Sequence, residues 1–356
     1  MLLSQYISAQ SIKVAITDHL TSQKLLTYNY QKYYLEGFDL EVIAAKKLGI
    51  NYEYKTFFYE DPNVNIFEQV KKIKKWNPDI VVGPTFSSHF LLLKDQFTDT
   101  LVLSPYASAN AVYQLPKNYY TLTVSATDSA KKSSEYIGQA FKPKTIFIFT
   151  DASCTFCVDF TNVFVSALKK KKNRIEQISF INDDIMNKQL DYKKLLKEYS
   201  KNDIIMLNTT GYHDELLISE ISNSLQKNNV LYVVGDGWDM YNNWDIDNIK
   251  TNYTFNIFRV TPKVINPNSQ LVKKFSKQYI QLYNNTPNAI SFATFNTLNS
   301  VSDALKNYNC NLKNIKANIL CSYQSAIKKN PGWHRPILHE VYEIKKGNEY
   351  FVTDIK

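Results

Sequence analysis

Two stretches decide the reading: Asp79-Ile-Val-Val-Gly-Pro-Thr-Phe-Ser-Ser, residues 79–88, and Leu101-Val-Leu-Ser-Pro-Tyr-Ala-Ser-Ala-Asn, residues 101–110. Each is a short apolar run, of strand length, that ends in a loop of small and hydroxyl-bearing residues. In an open α/β sheet, ligands sit outside such carboxyl ends of the strands. The two adjacent loops, Phe86-Ser87-Ser88 and Pro105 to Asn110, are therefore placed to grip one small polar ligand.

Outward from these loops, the periodicity alternates between its two classes. Ile12 to Ile16 reads as a buried strand, and Gly37 to Leu48 as a helix with Leu40, Ile43, Ala44 and Leu48 on one face. Asn51 to Tyr59 reads as a strand, and Asn65 to Lys75 as a helix leading into the strand at Asp79. Such alternation means parallel βαβ units. The pattern then restarts: Asp128 opens a helix to Phe141, Thr145 to Phe149 is a strand, and Val158 to Leu168 is a helix. Strands at Asp203 to Leu207 and Val230 to Val234 flank a helix from Asp214 to Leu225. Beyond them come a strand at Thr254 to Val260, helices at Ser269 to Tyr283 and Ile290 to Leu305, and strands near His339 to Ile344 and Tyr350 to Val352. No Gly/Ser-rich or Pro-rich linker separates the two lobes, as expected if the chain crosses between them several times.

Composition narrows the class. A chain of 356 residues with 44% hydrophobic residues has the length of two ordinary domains and can bury a large core. The formal charge of +9 raises nucleic acid and anionic membranes as partners. The densest basic run, Lys169 to Lys172 with Arg174, instead closes an expected helix, where cations meet the dipole and water. With no zinc-finger spacing, RNP-like motif or basic heptads, no nucleic-acid partner is expected. No apolar stretch reaches the roughly 20 residues of a membrane span. Residues 1–11 read either as the stump of an export signal or as a frayed terminus before the first strand. Four cysteines, Cys154 and Cys157 in a C-x-x-C plus Cys310 and Cys321, fit two disulfides in an oxidising compartment, but four cysteines pair in three ways. The five histidines lack metal-ligand spacing, and no metal or cofactor is expected.

In order and wording, the loops resemble those of the type I periplasmic binding proteins, in the branch that serves importers of branched-chain and hydrophobic amino acids. The matching phrases are Asp79-Ile-Val-Val-Gly-Pro with Ser87-Ser88, Leu103-Ser104-Pro105-Tyr-Ala107-Ser108, and Thr127-Asp128-Ser129 with Glu135-Tyr136-Ile137. Gly235-Asp236-Gly237-Trp238-Asp239, Phe275 to Tyr279, and Pro287 with Phe295-Asn296-Thr297 complete the set. The resemblance implies two Rossmann-like lobes joined by three crossovers, with a ligand cleft between them. The first lobe would comprise 12–124 and 256–325, and the second 125–255 and 326–356. It implies an exported or periplasmic monomer that is not an enzyme. Such a protein captures a free amino acid, apolar or aromatic, or a related small amide, and delivers it to the membrane permease of an ABC importer.

Residue chemistry sets out what such a site needs. A zwitterion entering a partly dry cleft must regain the hydrogen bonds its two charges lose from water. Serine hydroxyls and loop N–H groups suit a carboxylate, whereas a fixed carboxylate and a backbone carbonyl suit an ammonium. The resemblance implies that Ser87 and Ser108, with Ser88 beside them, hold the ligand carboxylate and that the Ala107 carbonyl faces the ammonium. It places Asp236 as an acidic partner for the ammonium, and Phe156 and Tyr212 as aromatics against the ligand. Each has a plainer reading: Ser-Ser after a strand as a helix N-cap, Asp236 as a turn residue, Phe156 and Tyr212 as packing, Trp238 as a buried wedge. His89 beside Ser88 lacks the G-x-S-x-G elbow of a hydrolase. Two readings from other classes stay open. One is a thiol-disulfide oxidoreductase, since Cys154 to Cys157 follows a strand and opens a helix. The other is a sensing lobe of a receptor.

Overall fold

The computed structural model describes residues 11–18, 24–59, 66–169, 173–181, 190–209, 212–235, 251–262, 269–331, 339–345 and 348–355. The chain divides into two compact units, Met1–Thr123 with Val264–Pro336 and Val124–Lys263 with Ile337–Lys356, so it passes from one unit to the other three times.

The first unit is wound on five strands. They are β1 (Ile12–Ile16), β2 (Tyr52–Thr56), β3 (Ile80–Val82), β4 (Leu101–Ser104) and β5 (Tyr119–Thr121), connected through helices α1 (Lys24–Lys46), α2 (Ile66–Trp76) and the short α3 (Ser87–Leu92). All neighbours are parallel, in the order β2-β1-β3-β4-β5. The order reverses between β1 and β3, so the loops leaving these two strands part to opposite faces and open a crevice at their carboxyl ends.

The second unit repeats that winding. Its strands are β6 (Thr145–Asp151), β7 (Arg174–Phe180), β8 (Ile204–Asn208), β9 (Val230–Val234) and β10 (Phe255–Pro262). They run parallel in the order β7-β6-β8-β9-β10, and an antiparallel pair, β11 (His339–Lys345) and β12 (Asn348–Ile355), extends the β10 edge. Helices α4 (Ala126–Ala140), α5 (Thr155–Lys169), α6 (Tyr192–Leu195) and α7 (Tyr212–Leu225) join them. Alternate residues of β6 feed two cores: Phe147 and Phe149 pack with Leu207, Tyr232 and Ile257, whereas Ile146 and Ile148 pack with Phe164, Met206 and Val233. That is the period of two expected of a strand covered on both faces. Strand β10 pairs with β9 and β11, so residues 256–263, expected in the first lobe, belong to the second unit. Helix α4 is capped by Ser125, whose Oγ accepts the Asp128 N–H at 3.0 Å; Asp128 sits one turn inside rather than at the cap. Arg174, expected at a helix end, begins β7 and pairs with Glu176 and Glu198.

Helices α8 (Gln270–Tyr283), α9 (Ala289–Tyr308) and α10 (Ile315–Lys329) return to the first unit. There α1 departs most from expectation. It begins at Lys24, well before the Gly37 expected from periodicity, and Ile43 and Leu48 of the expected buried face are 45% and 52% exposed. The buried residues are Tyr34, Glu36, Gly37, Phe38, Leu40, Glu41 and Ala45, so of the expected face Leu40 is buried as read. A Cβ on Gly37 would lie 2.1 Å from Thr294 Oγ1 and 2.2 Å from the Ser291 carbonyl, so only glycine lets α1 and α9 cross this closely. Beside the crossing, Ser302 Oγ donates to Glu41 Oε1 at 2.6 Å and lies 3.0 Å from the Tyr52 hydroxyl. A hydrophobicity pattern cannot anticipate a buried face that carries a glycine and a carboxylate.

The net charge of +9 falls wholly on the first unit, which holds 21 basic and 12 acidic residues against 21 and 21 in the second.

Burial raises the Glu41 carboxyl to about 7, against the pull of Ser302 and Lys274 in the other direction. Because the folded state holds this proton more tightly than the unfolded chain, its contribution is fully present below about pH 4.5 and declines as pH rises towards 7. Urea unfolding of Glu41→Gln is expected to lose that component of the decline between these limits. Gly37→Ala should destabilise by roughly 1–3 kcal/mol through overpacking, read as a lower urea midpoint.

Candidate functional site

The candidate site of the first unit lies at the carboxyl ends of β1, β3 and β4, and its shape follows from how those ends are tied together. Gly83, after β3, has φ of 91° and a Cβ there would stand 1.8 Å from the Thr17 carbonyl; the chain passes β1 only because the side chain is absent. Asp18, at the end of β1, accepts from the Thr85 N–H at 3.0 Å and from the Thr85 hydroxyl. Ser104, the last residue of β4, donates from Oγ to the Pro84 carbonyl at 2.8 Å and accepts the Ala107 N–H at 3.0 Å. Ser87 Oγ accepts the N–H groups of Ser108 and Ala109 at 2.9 and 3.0 Å. The two quoted loops are thus one stitched surface.

Ser87, Ala107 and Ser108 are brought together and buried; Ser88 adjoins them and is exposed. Ser87 is not the N-cap of α3, a position held by Phe86 with no side-chain bond. A hydroxyl oxygen that accepts two N–H groups is left with its own proton to donate outward. His89 Nδ1 lies 3.0 Å from the Tyr59 hydroxyl, and its ring packs on Tyr59 and Phe86. Around Asp18 stand aromatic hydroxyls: burial, with the Asp18 charge adding to it, pushes the Tyr34 phenol well up and that of Tyr59 likewise.

The second unit carries a parallel set at β6 and β8, its own point of order reversal. Cys154 and Cys157 form a disulfide, as do Cys310 and Cys321 between the end of α9 and α10. Phe156, between the first two, is half-buried, with its ring 5.8 Å from Phe160. Tyr212 begins α7 and Thr209 donates to the buried Asp214 on that helix, whose carboxyl burial raises to about 7. Asn208 Nδ2 donates to the Cys157 carbonyl at 2.7 Å and to Thr161 Oγ1 at 2.8 Å, fixing the first turn of α5 on β8. The side chain of Tyr212, and Asp236 and Trp238 altogether, lie outside the described residues. Asp18, Asp151, Asn208 and Asp214 were not anticipated. For Asp18 and Asp151 the signal was present: the apolar runs to Ile16 and Phe149 are each followed by the same Thr-Asp pair. Among the described residues no cluster could hold a metal ion, and no helix is long and apolar enough to cross a membrane.

At the level of sequence, no family model and no curated protein matches the chain. Solved structures do match in fold. A leucine binding protein, LivK, of Thermotoga maritima is 17% identical with a TM-score of 0.75, over 97% of this chain and 98% of its own. The branched-chain amino acid transporter substrate binding protein LivJ of Streptococcus pneumoniae, in complex with isoleucine, is 15% identical with a TM-score of 0.74, over 96% and 99%. An ABC transporter solute binding protein of Rhodopseudomonas palustris, in complex with benzoate, is 12% identical with a TM-score of 0.76, over 97% and 96%. The fold is that of the type I periplasmic binding proteins.

Ser87→Ala strips two loop N–H groups of their acceptor and is expected to destabilise the protein by roughly 2 kcal/mol or more. Ser108→Ala, whose backbone N–H remains in place, should change the unfolding free energy measured with urea by no more than about 1 kcal/mol.

Proposed function

We propose that the chain is an extracytoplasmic solute-binding protein that captures a free amino acid with an apolar or aromatic side chain and delivers it to the permease of an ABC importer. The observation that carries this reading is the Ser87 hydroxyl. With both acceptor positions committed to Ser108 and Ala109, it presents a donor beside the Ser108 hydroxyl, and a carboxylate is the matching acceptor. The loop stands on the unit that carries the whole net positive charge, a field that favours an anionic group. Three structures of the same fold are described as binding proteins, one with isoleucine and one with benzoate bound. The two ligands share a carboxylate and differ in the ammonium.

On this reading Ser87, Ser88 and Ser108 take the carboxylate and the Ala107 carbonyl takes the ammonium. Phe156, Tyr212 and Asp236 are the proposed contacts of the second unit, Asp236 for the ammonium. The protein acts as a monomer without cofactor. A calorimetric screen of the common amino acids, with benzoate and small amides alongside, is expected to find one amino acid bound at micromolar Kd or tighter. Ser108→Ala and Asp236→Ala should each weaken it at least tenfold. Benzoate binding that is untouched by Asp236→Ala, with no amino acid bound, would reassign the ligand to a simple carboxylate. No heat from any of them would remove the reading.

A further inference from the structure

The C-x-x-C of the second unit is more than a staple. Cys154 is the N-cap residue of α5: its carbonyl accepts the Val158 N–H at 3.0 Å, and its Sγ accepts the Cys157 N–H at 3.1 Å. A sulfur in that place gains charge stabilisation as a thiolate from an N–H donor and from the positive end of a fifteen-residue helix. The two sulfurs differ in access: Cys154 is partly exposed, whereas Cys157 is fully buried. Asp151, three residues before Cys154, is 1% exposed; its Oδ1 accepts from the N–H and hydroxyl of Ser153 at 2.9 and 2.6 Å, yet its Oδ2 has no partner among the described residues. Asp18, at the equivalent end of β1, has both oxygens engaged by Thr85. Through Ser153, Asp151 fixes the turn that leads from β6 into Cys154.

We propose that Cys154–Cys157 is a thiol-disulfide exchange site that takes a dithiol as co-reactant. One sulfur of the dithiol, as thiolate, attacks the accessible Cys154 Sγ. A mixed disulfide forms, the Cys154–Cys157 bond breaks, and its electron pair leaves on Cys157. The attacking thiol has lost its proton to solvent, and the Cys157 thiolate takes one from solvent. The second thiol of the dithiol then attacks its own mixed-disulfide sulfur, loses its proton to solvent, and releases Cys154 as a thiolate. The dithiol is oxidised to a disulfide by two electrons, and the chain gains those electrons as the Cys154–Cys157 pair. The other disulfide lacks these features: Cys321 lies inside α10 and Cys310 in the turn before it.

The whole native chain is titrated with dithiothreitol, alkylated, and its cysteines mapped by mass. Cys154 and Cys157 are expected to open at a concentration at least tenfold below that needed for Cys310 and Cys321. With glutathione disulfide as probe, Cys157→Ser should trap a mixed disulfide on Cys154, whereas Cys154→Ser, leaving only a buried thiol, should trap none. Simultaneous opening of both disulfides, or trapping at Cys157, would overturn the proposal. None of these readouts requires a bound solute, so they stand apart from the ligand screen.

Discussion

The surface at the head of the first unit depends on one bond arrangement, the Ser87 oxygen accepting two successive N–H groups from the loop after β4. Loops at strand ends carry backbone groups that the sheet no longer pairs, and each buried one needs a partner. Ser87 satisfies two of them at once. In doing so it fixes the spacing of the two loops and turns its own proton away from them. Ser104 does the complementary work one layer down, between the Pro84 carbonyl and the Ala107 N–H. Replacing Ser87 therefore disturbs the loops themselves, whereas Ser108 contributes its backbone N–H whatever its side chain.

The second unit shows how one winding order supports different chemistry at the same topological place. Both units reverse strand order after their first strand, and in both the apolar run of that strand is followed by Thr-Asp. In the first, the aspartate closes a bond with the neighbouring loop. In the second it turns back on Ser153, and a disulfide takes the space at the start of the following helix. Fold alone assigns neither outcome; the side chains at the reversal do.

Much of this was legible in the sequence. Strands β1, β4 and β9 match their expected bounds because continuous apolar runs flanked by turn residues leave few alternatives. The pairing of Ser87 with the loop of Ser108 followed from adjacent strands. What escaped was of two kinds. Short or polar elements such as β5 and the amphipathic β7 carry too few apolar residues to stand out. Helix α1 carried a mixed signal: Ile43 faces solvent, Leu48 lies beyond the helix end at Lys46, and the buried line runs through Gly37 and Glu41, whose partners sit some 250 residues away on α9. Contacts of that range are tertiary facts, invisible to any window. The same holds at Asp18 and Asp151, where identical strand endings meet different neighbours.

Gly83 has a practical bearing on redesign. Its backbone is left-handed and a methyl group would overlap the Thr17 carbonyl, so the position has no tolerated substitute. Phe86 and Ser88, a few residues on, are partly or fully exposed and bear none of the stitching bonds. A mutagenic library aimed at new ligand preference should therefore diversify 86 and 88 freely, hold 83 and 87 fixed, and treat any survivor altered at 83 as a sign that β1 and β3 have been repacked.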